Sequence, residues 1–295
     1  MPEEWSREHN VVMPTSAVVA AWELGLRLRE RREHLSLSVG GAAKAVKMQQ
    51  PNLSAVEAGK KKLTAANLTK LAKLYEIEPD EREALEALRI GADQRDWYHQ
   101  YSWLFGEDFL RYLGLEHGAD HLHTYQSAIV PGPLQTADYA AEIIRGGSPY
   151  VRLTEFEPRM EVRQVRQHRL IGQEPMRITA LLAEAALRQR VGGTEVMRIQ
   201  LDHLATIATE HQHIEIRVIP FSAGAHAALG APFDVLSFAS PRLPDLVWQE
   251  TLATFAIIDK PVHAREYAVV LAEATQKALD AKASIALIRQ ISKDF

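Results

Sequence analysis

The chain has 295 residues, of which 46% are hydrophobic and 24% charged, enough apolar material for two buried cores and too much for a disordered segment. It has no cysteine, which excludes disulfides, thiol catalysis and cysteine-ligated zinc. The formal net charge of -4 argues against a protein that binds nucleic acid over its whole surface; no apolar run is long enough to span a bilayer, and MPEEWSREHNVVMPT lacks the basic and apolar regions of a signal peptide. A cytoplasmic protein without membrane contact is expected.

Residues 1–16 read as a flexible tail and 17–90 as a helical domain. Residues 27–62 carry nine Lys or Arg and three Glu, a local charge of +6 that leaves -10 on the rest of the chain. A basic face on an acidic body confines DNA to that face. The stretch from Leu37 to Lys62, LSVGGAAKAVKMQQPNLSAVEAGKKK, reads as two short helices that cross closely and run into a basic turn, the geometry of a helix-turn-helix reader of double-stranded DNA. Ser38 caps the first helix, where Gly41, Ala42 and Ala43 leave room for close packing. The break falls at Lys47 and Met48. Gln49 and Gln50 open the second helix, Pro51 sits in its first turn where a missing N–H costs nothing, and Gly59 stops it. Val46, Met48, Leu53 and Val56 point inward, leaving Gln50, Asn52, Ser54 and Ala55 outward. An amide on that side both donates to and accepts from an adenine edge, while Lys60, Lys61 and Lys62 meet phosphate.

From about Val18 to Leu88 the chain resembles the Cro/C1-type (XRE) family of regulators. The resemblance rests on AWELGLRLRERREHL, the two crossing helices, and LTAANLTKLAKLYEI leading into EREALEAL. It implies base reading by Gln49, Gln50, Asn52 and Ser54, and an ion pair beneath the surface between Arg32 of the first helix and Glu57 at the end of the reading helix. Val39 departs from the pattern, since the family often carries there a glutamine that touches phosphate.

Helical periodicity stops and glycine and charge rise near Arg89 to Asp96, so 91–96 is expected to be a short linker and 97–295 the second domain. Trp97 to Gly114 places Trp97, Tyr101, Leu104, Phe105, Phe109, Tyr112 and Leu113 on one helical stripe. Thr154 and Glu157 form a capping box ahead of a charged helix. Ile214, Ile216 and Val218 alternate with Glu215 and Arg217 as in a half-buried strand, and 233–238 and 246–252 supply further short strands, expected to be antiparallel. Helices over 262–280 and 284–291 close the chain. The fold class expected is an all-α helix-turn-helix N-terminal domain followed by an α+β C-terminal domain.

The second half is similar to the effector half of WhiJ-like actinobacterial regulators, a domain of unknown function. The segments that carry the similarity are YQSAIVPGPLQTADYA from Tyr125, RMEVRQVRQHRLI from Arg159, EAALRQRVGGTEVMRIQLDHL from Glu184, IEIRVIPFSAGAH from Ile214, FDVLSF from Phe233 and VWQETL from Val247. It implies transcriptional control of development or secondary metabolism, often beside a small partner protein encoded nearby in an antitoxin-like arrangement.

Several constellations have two readings. Arg159, Arg163, Arg166 and Arg169 share a helical face, either binding phosphate or an acidic partner or, as preferred, forming a solvated face paired with Glu155, Glu157 and Glu161. His117, His121, His123, His211 and His213 lack an HExxH pattern and read as ordinary histidines, so no metal and no cofactor are expected. The small-residue loop Ile219 to Phe233 carries Phe221 and His226. With Trp248 and Glu250 they form a candidate ligand pocket, against the alternative that the aromatic residues are core. VGGTEV from Val191 reads as a helix end and a Thr194 cap rather than a nucleotide loop. Glu184, Asp234, His226 and Glu250 fit no catalytic motif, so no enzyme is expected. The expected function is a sequence-specific regulator, homodimeric as two-fold operators require, whose second domain takes a small-molecule effector or a small protein; an antitoxin-like module and an enzyme fused to a reader are the alternatives.

Overall fold

Five helices form from the first third of the chain, each burying one apolar face, with capping hydroxyls at the starts of α2 and α4 and a proline in the first turn of α3 and α5: α1 Ala17–His34, α2 Val39–Ala45, α3 Gln50–Glu57, α4 Ala65–Leu74 and α5 Pro79–Asp93. A computed structural model of the chain describes residues 16–147, 152–172, 174–251 and 254–295. The tail expected over 1–16 lies outside them except for Ser16. The chain divides into two units, Met1–His99 and Gln100–Phe295.

The first unit closes around Leu28, Leu53, Leu71 and Tyr75, joined by Ala42, Ala43, Val46 and Val56. Fully burying each leucine contributes about 1.5–3 kcal/mol. The fit of α1 against α3 depends on Gly25, where a Cβ would lie 2.3 Å from the carbonyl oxygen of Val56. The stretch expected as a linker is folded rather than free, since α5 runs to Asp93 and the Asp96 carboxylate accepts from the Ala17 N–H at 3.1 Å.

The second unit contains α6 Glu107–His117, β1 His121–Gln126, α7 Ala137–Gly147, α8 Phe156–Gln167, β2 Arg177–Ala183, α9 Glu184–Arg188, α10 Gly193–Glu210 and β3 Ile214–Ile219. It continues with β4 Phe233–Ser237, β5 Leu246–Glu250, β6 Phe255–Ile258, α11 Pro261–Lys277 and α12 Ala281–Ser292. The strands form one six-stranded sheet in the order β3-β2-β1-β4-β5-β6, so this half is α+β as expected.

Four expectations are corrected. The sheet is mixed: β1, β2 and β3 are parallel because the intervening links carry helices long enough to cross over, whereas the β1–β4, β4–β5 and β5–β6 pairs are antiparallel, as expected for 233–238 and 246–252. The single helix expected over 97–114 is broken into a 3-10 turn at Trp97–Tyr101 and α6, with Gly106 as the N-cap of α6. The Thr154/Glu157 capping box does not form, because Thr154 lies in a 3-10 turn that runs into α8, and Thr194 lies inside α10 rather than capping it.

One face of the sheet packs on α11, where Tyr125, Leu181, Val235 and Val247 meet Ala264, Tyr267, Val270, Leu271 and Ala274. Alternation sends the intervening residues to the other face, and the cross-strand register aligns Thr124 with Asp234 and Asp234 with Trp248. Glu250 and Phe255, partners in the β5–β6 ladder, fall on that same side.

Candidate nucleic-acid interface and ligand cavity

The reading face begins with local caps. The Ser38 hydroxyl accepts from the Gly41 N–H at 3.0 Å, which starts α2, and Gln49 is the N-cap residue of α3. Lys47, in the left-handed region at φ 57°, turns the chain between the two helices, and Gly59 at φ 67° follows α3. Leu53 and Val56 anchor α3 in the core, leaving Gln49, Gln50 and Ser54 exposed and Asn52 half-buried. The back of α3 is tied to α1 by Arg32, whose Nε and Nη2 donate to Glu57 Oε1 and Oε2 at 2.7 and 2.9 Å. That bond raises the pKa of the Arg32 guanidinium, which keeps its charge in its buried place.

The three lysines are not equivalent. Lys61 donates to Asn52 Oδ1 at 2.8 Å, and Lys62 donates to the Asp93 carbonyl at 2.9 Å, at the end of α5. Lys60 is exposed and has no partner among the described residues.

The second unit holds a cavity of about 870 Å³ between the free sheet face and α6 and α8. The sheet contributes Gln126, Asp234, Trp248, Glu250 and Phe255. From α6 come Phe109 and Tyr112, and from α8 come Arg159, Val162, Arg163 and Arg166, spaced three or four apart as one helical face requires. The arginines are therefore not the solvated row expected from sequence. Arg166 binds the buried Glu116 through two hydrogen bonds of 2.7 Å, Arg159 binds Glu155 at 2.9 Å, and Arg169 donates to the carbonyls of Glu174 and Ala119. The Tyr112 hydroxyl stands 3.1 Å from Glu116 Oε1 and 2.8 Å from Asp234 Oδ2. With a single proton it donates to one of them at a time. Burial raises the pKa of Asp234, against the hydrogen bonds donated by Thr124 and Tyr112, which lower it.

Of the four residues expected to share a pocket, Trp248 and Glu250 line this cavity. Phe221 and His226 do not: Phe221 is 62% exposed, and His226 rests against Tyr125, on the sheet face that packs on α11. The residues missed from sequence are Phe109, Tyr112 and Glu116. Their spacing along α6 matches that of Arg159, Arg163 and Arg166 along α8, but only the shared sheet face shows that the two stripes meet. Among the described residues, no group of three or more His, Asp or Glu is placed to hold a metal ion, and no helix is long and apolar enough to cross a membrane.

A helix-turn-helix domain family matches residues 23–85, and DUF5753, a domain of unknown function, matches residues 109–290, more than half of the chain. The chain belongs to the DUF5753 family. Its N-terminal unit carries a helix-turn-helix domain, the architecture of DNA-binding regulators. The DUF5753 match spans β1 to β6 and so takes in the whole sheet and every cavity residue named from α6 onward except those before Phe109. No curated protein and no solved structure matches the chain.

Proposed function

We propose that the protein is a sequence-specific transcriptional regulator that reads double-stranded DNA through α3 and senses a small molecule through its DUF5753 domain. The observation that carries the reading is the exposure of Gln49, Gln50 and Ser54 on a helix whose opposite side is fixed by Leu53, Val56 and the Arg32–Glu57 pair. A helix held this way presents amides in a set orientation, which base recognition requires. The resemblance to Cro/C1-type regulators supports the same assignment, and the WhiJ-like resemblance supports a role in development or secondary metabolism. Footprinting of the full chain on the DNA upstream of its own reading frame tests it: a protected segment of defined sequence is expected, and uniform binding to all DNA would overturn it.

A small-molecule effector is favoured over a small protein partner by the half-open, aromatic-lined cavity, whose volume suits a drug-sized compound. A binding rather than a catalytic role is supported by the engagement of its acidic groups, Glu116 with Arg166 and Asp234 with Thr124 and Tyr112. We also infer a homodimer, since one recognition helix covers only a few base pairs. Val262 and Val269, seven residues apart on α11, offer exposed apolar contact area. Sedimentation of the full chain at micromolar concentration should give a dimer, and a monomer that binds a single half-site tightly would sink this element of the reading.

A further inference from the structure

Three features of the cavity are left unfinished by the protein itself. The first is Arg163. Its neighbours Arg159 and Arg166 are paired with carboxylates, but the Arg163 guanidinium makes no hydrogen bond or ion pair among the described residues. It packs on the backbone at Gly132, where a Cβ would lie 1.8 Å from Arg163 Nη1. Burial, together with the charge of Arg166, depresses its pKa to about 10. It remains charged at neutral pH in surroundings that penalise the charge, and an anion beside it would relieve that cost.

The second feature is a stack of rings. Tyr112 and Trp248 lie parallel at 4.4 Å, and Trp248 and Phe255 at 5.4 Å with 13° between planes. Phe109 touches all three at 6.0–6.2 Å. Phe255 ends the run and is 41% exposed, so a flat apolar group can extend it. The third feature is an acceptor: Gln135 is 2% exposed and lines the cavity, its Nε2 donates to the Val130 carbonyl, and its Oε1 is without a partner among the described residues.

We propose that this cavity binds an aromatic acid, its single oxyanion held by Arg163, its ring continuing the Tyr112–Trp248–Phe255 stack, and a donor group reaching Gln135 Oε1. The proposal rests on the reading of the DUF5753 domain as a small-molecule sensor and names the chemical class it takes. A polyphosphate is disfavoured because Arg163 offers a single guanidinium, its neighbours Arg159 and Arg166 being already engaged by Glu155 and Glu116. Carboxylate, sulfonate and monophosphate share the required chemistry.

The test uses two dyes of the same aromatic body, 1-anilinonaphthalene-8-sulfonate and N-phenyl-1-naphthylamine, which lacks the sulfonate. Both are titrated into the full chain and followed by dye fluorescence and calorimetry. The sulfonate is expected to bind at one site per chain. Arg163→Gln should weaken it about tenfold or more while leaving the neutral dye unchanged, because only the charge-assisted contact is lost. Phe255→Ala, at a half-open position that folding tolerates, should weaken both dyes. Equal sulfonate affinity in the parent and Arg163→Gln proteins, or no saturable binding by the parent, overturns the site. The same preparations are footprinted without dye. A footprint that survives failed dye binding removes the site alone, whereas dye discrimination without any footprint removes the DNA-binding reading alone.

Discussion

Arg32 and Glu57 are joined by two short hydrogen bonds across α1 and α3, and both side chains are buried. Arg32 also donates to the Leu37 carbonyl at 2.8 Å, so one guanidinium fixes the reading helix and the turn that leads into α2. The basic face of the protein is thus organised from beneath by a pair that does not itself reach DNA.

Glu57→Ala leaves the buried Arg32 charge with the Leu37 carbonyl at 2.8 Å and the half-open Glu33 carboxylate at 3.4 Å. The N-terminal transition of the full chain should lose about 3 kcal/mol, with the melting temperature falling by roughly 10 °C or more. Thermal and urea unfolding read this directly. A change under about 1 kcal/mol, the range of exposed pairs, would show that the bond contributes little.

Gln50→Ala removes an exposed amide from the first turn of α3 without touching the core. Binding to the cognate site should weaken by about 1–3 kcal/mol, and discrimination at the contacted base should relax. Affinities across operator variants measure it. Unaltered specificity would mean that α3 is not the reading helix.

The lysines at the end of α3 should separate by their partners. Lys60 is free, and Lys60→Ala should weaken binding to every sequence alike and lower the salt slope by about one. Lys62 is held at the end of α5, by the Asp93 carbonyl at 2.9 Å and its carboxylate at 3.9 Å, and its replacement should change the slope less. Salt titrations of both variants decide the order. Equal slopes would contradict it.

His121 is held at a depressed pKa of about 4, by burial first and then by the charges of His123 and Arg177. The unfolded chain binds this proton near pH 6.5, so between about 6.5 and 4 it takes up more protons than the folded protein. Stability from this group is present above pH 6.5 and is lost as pH falls toward 4. His121→Gln should therefore lose less stability than the parent between pH 7 and 4.5, by on the order of 2 kcal/mol after allowance for partial solvent access. Parallel pH profiles for the two proteins would rule out the effect.

Sequence alone determined the first unit almost completely. The Ser38 cap, Pro51 in a first turn, the Gly59 stop and the inward positions Val46, Leu53 and Val56 are local signals, each acting within one or two helical turns, so their outcome does not depend on distant chain. In the second unit, sequence indicated an α+β class and the strands at 214–219 and 233–237, where apolar residues either alternate with polar ones or run in short stretches between turns. It did not indicate β2, where the alternation of Arg177 and Thr179 with Ile178 and Ala180 gives way to a continuous apolar run, or the parallel pairing of β1, β2 and β3, which arises from crossovers between segments far apart in the chain. The cavity belongs to the same class. Arg163 and Phe109 each lie on a legible helical face, but helical period fixes which residues share a face and not what the face meets. Only the sheet, by aligning Asp234 beside Trp248 and setting α6 and α8 over that side, turned a row of charged residues that resembled a wet surface into the wall of a cavity. Burial of an arginine is decided by the elements packed around it, and those elements come from the whole chain.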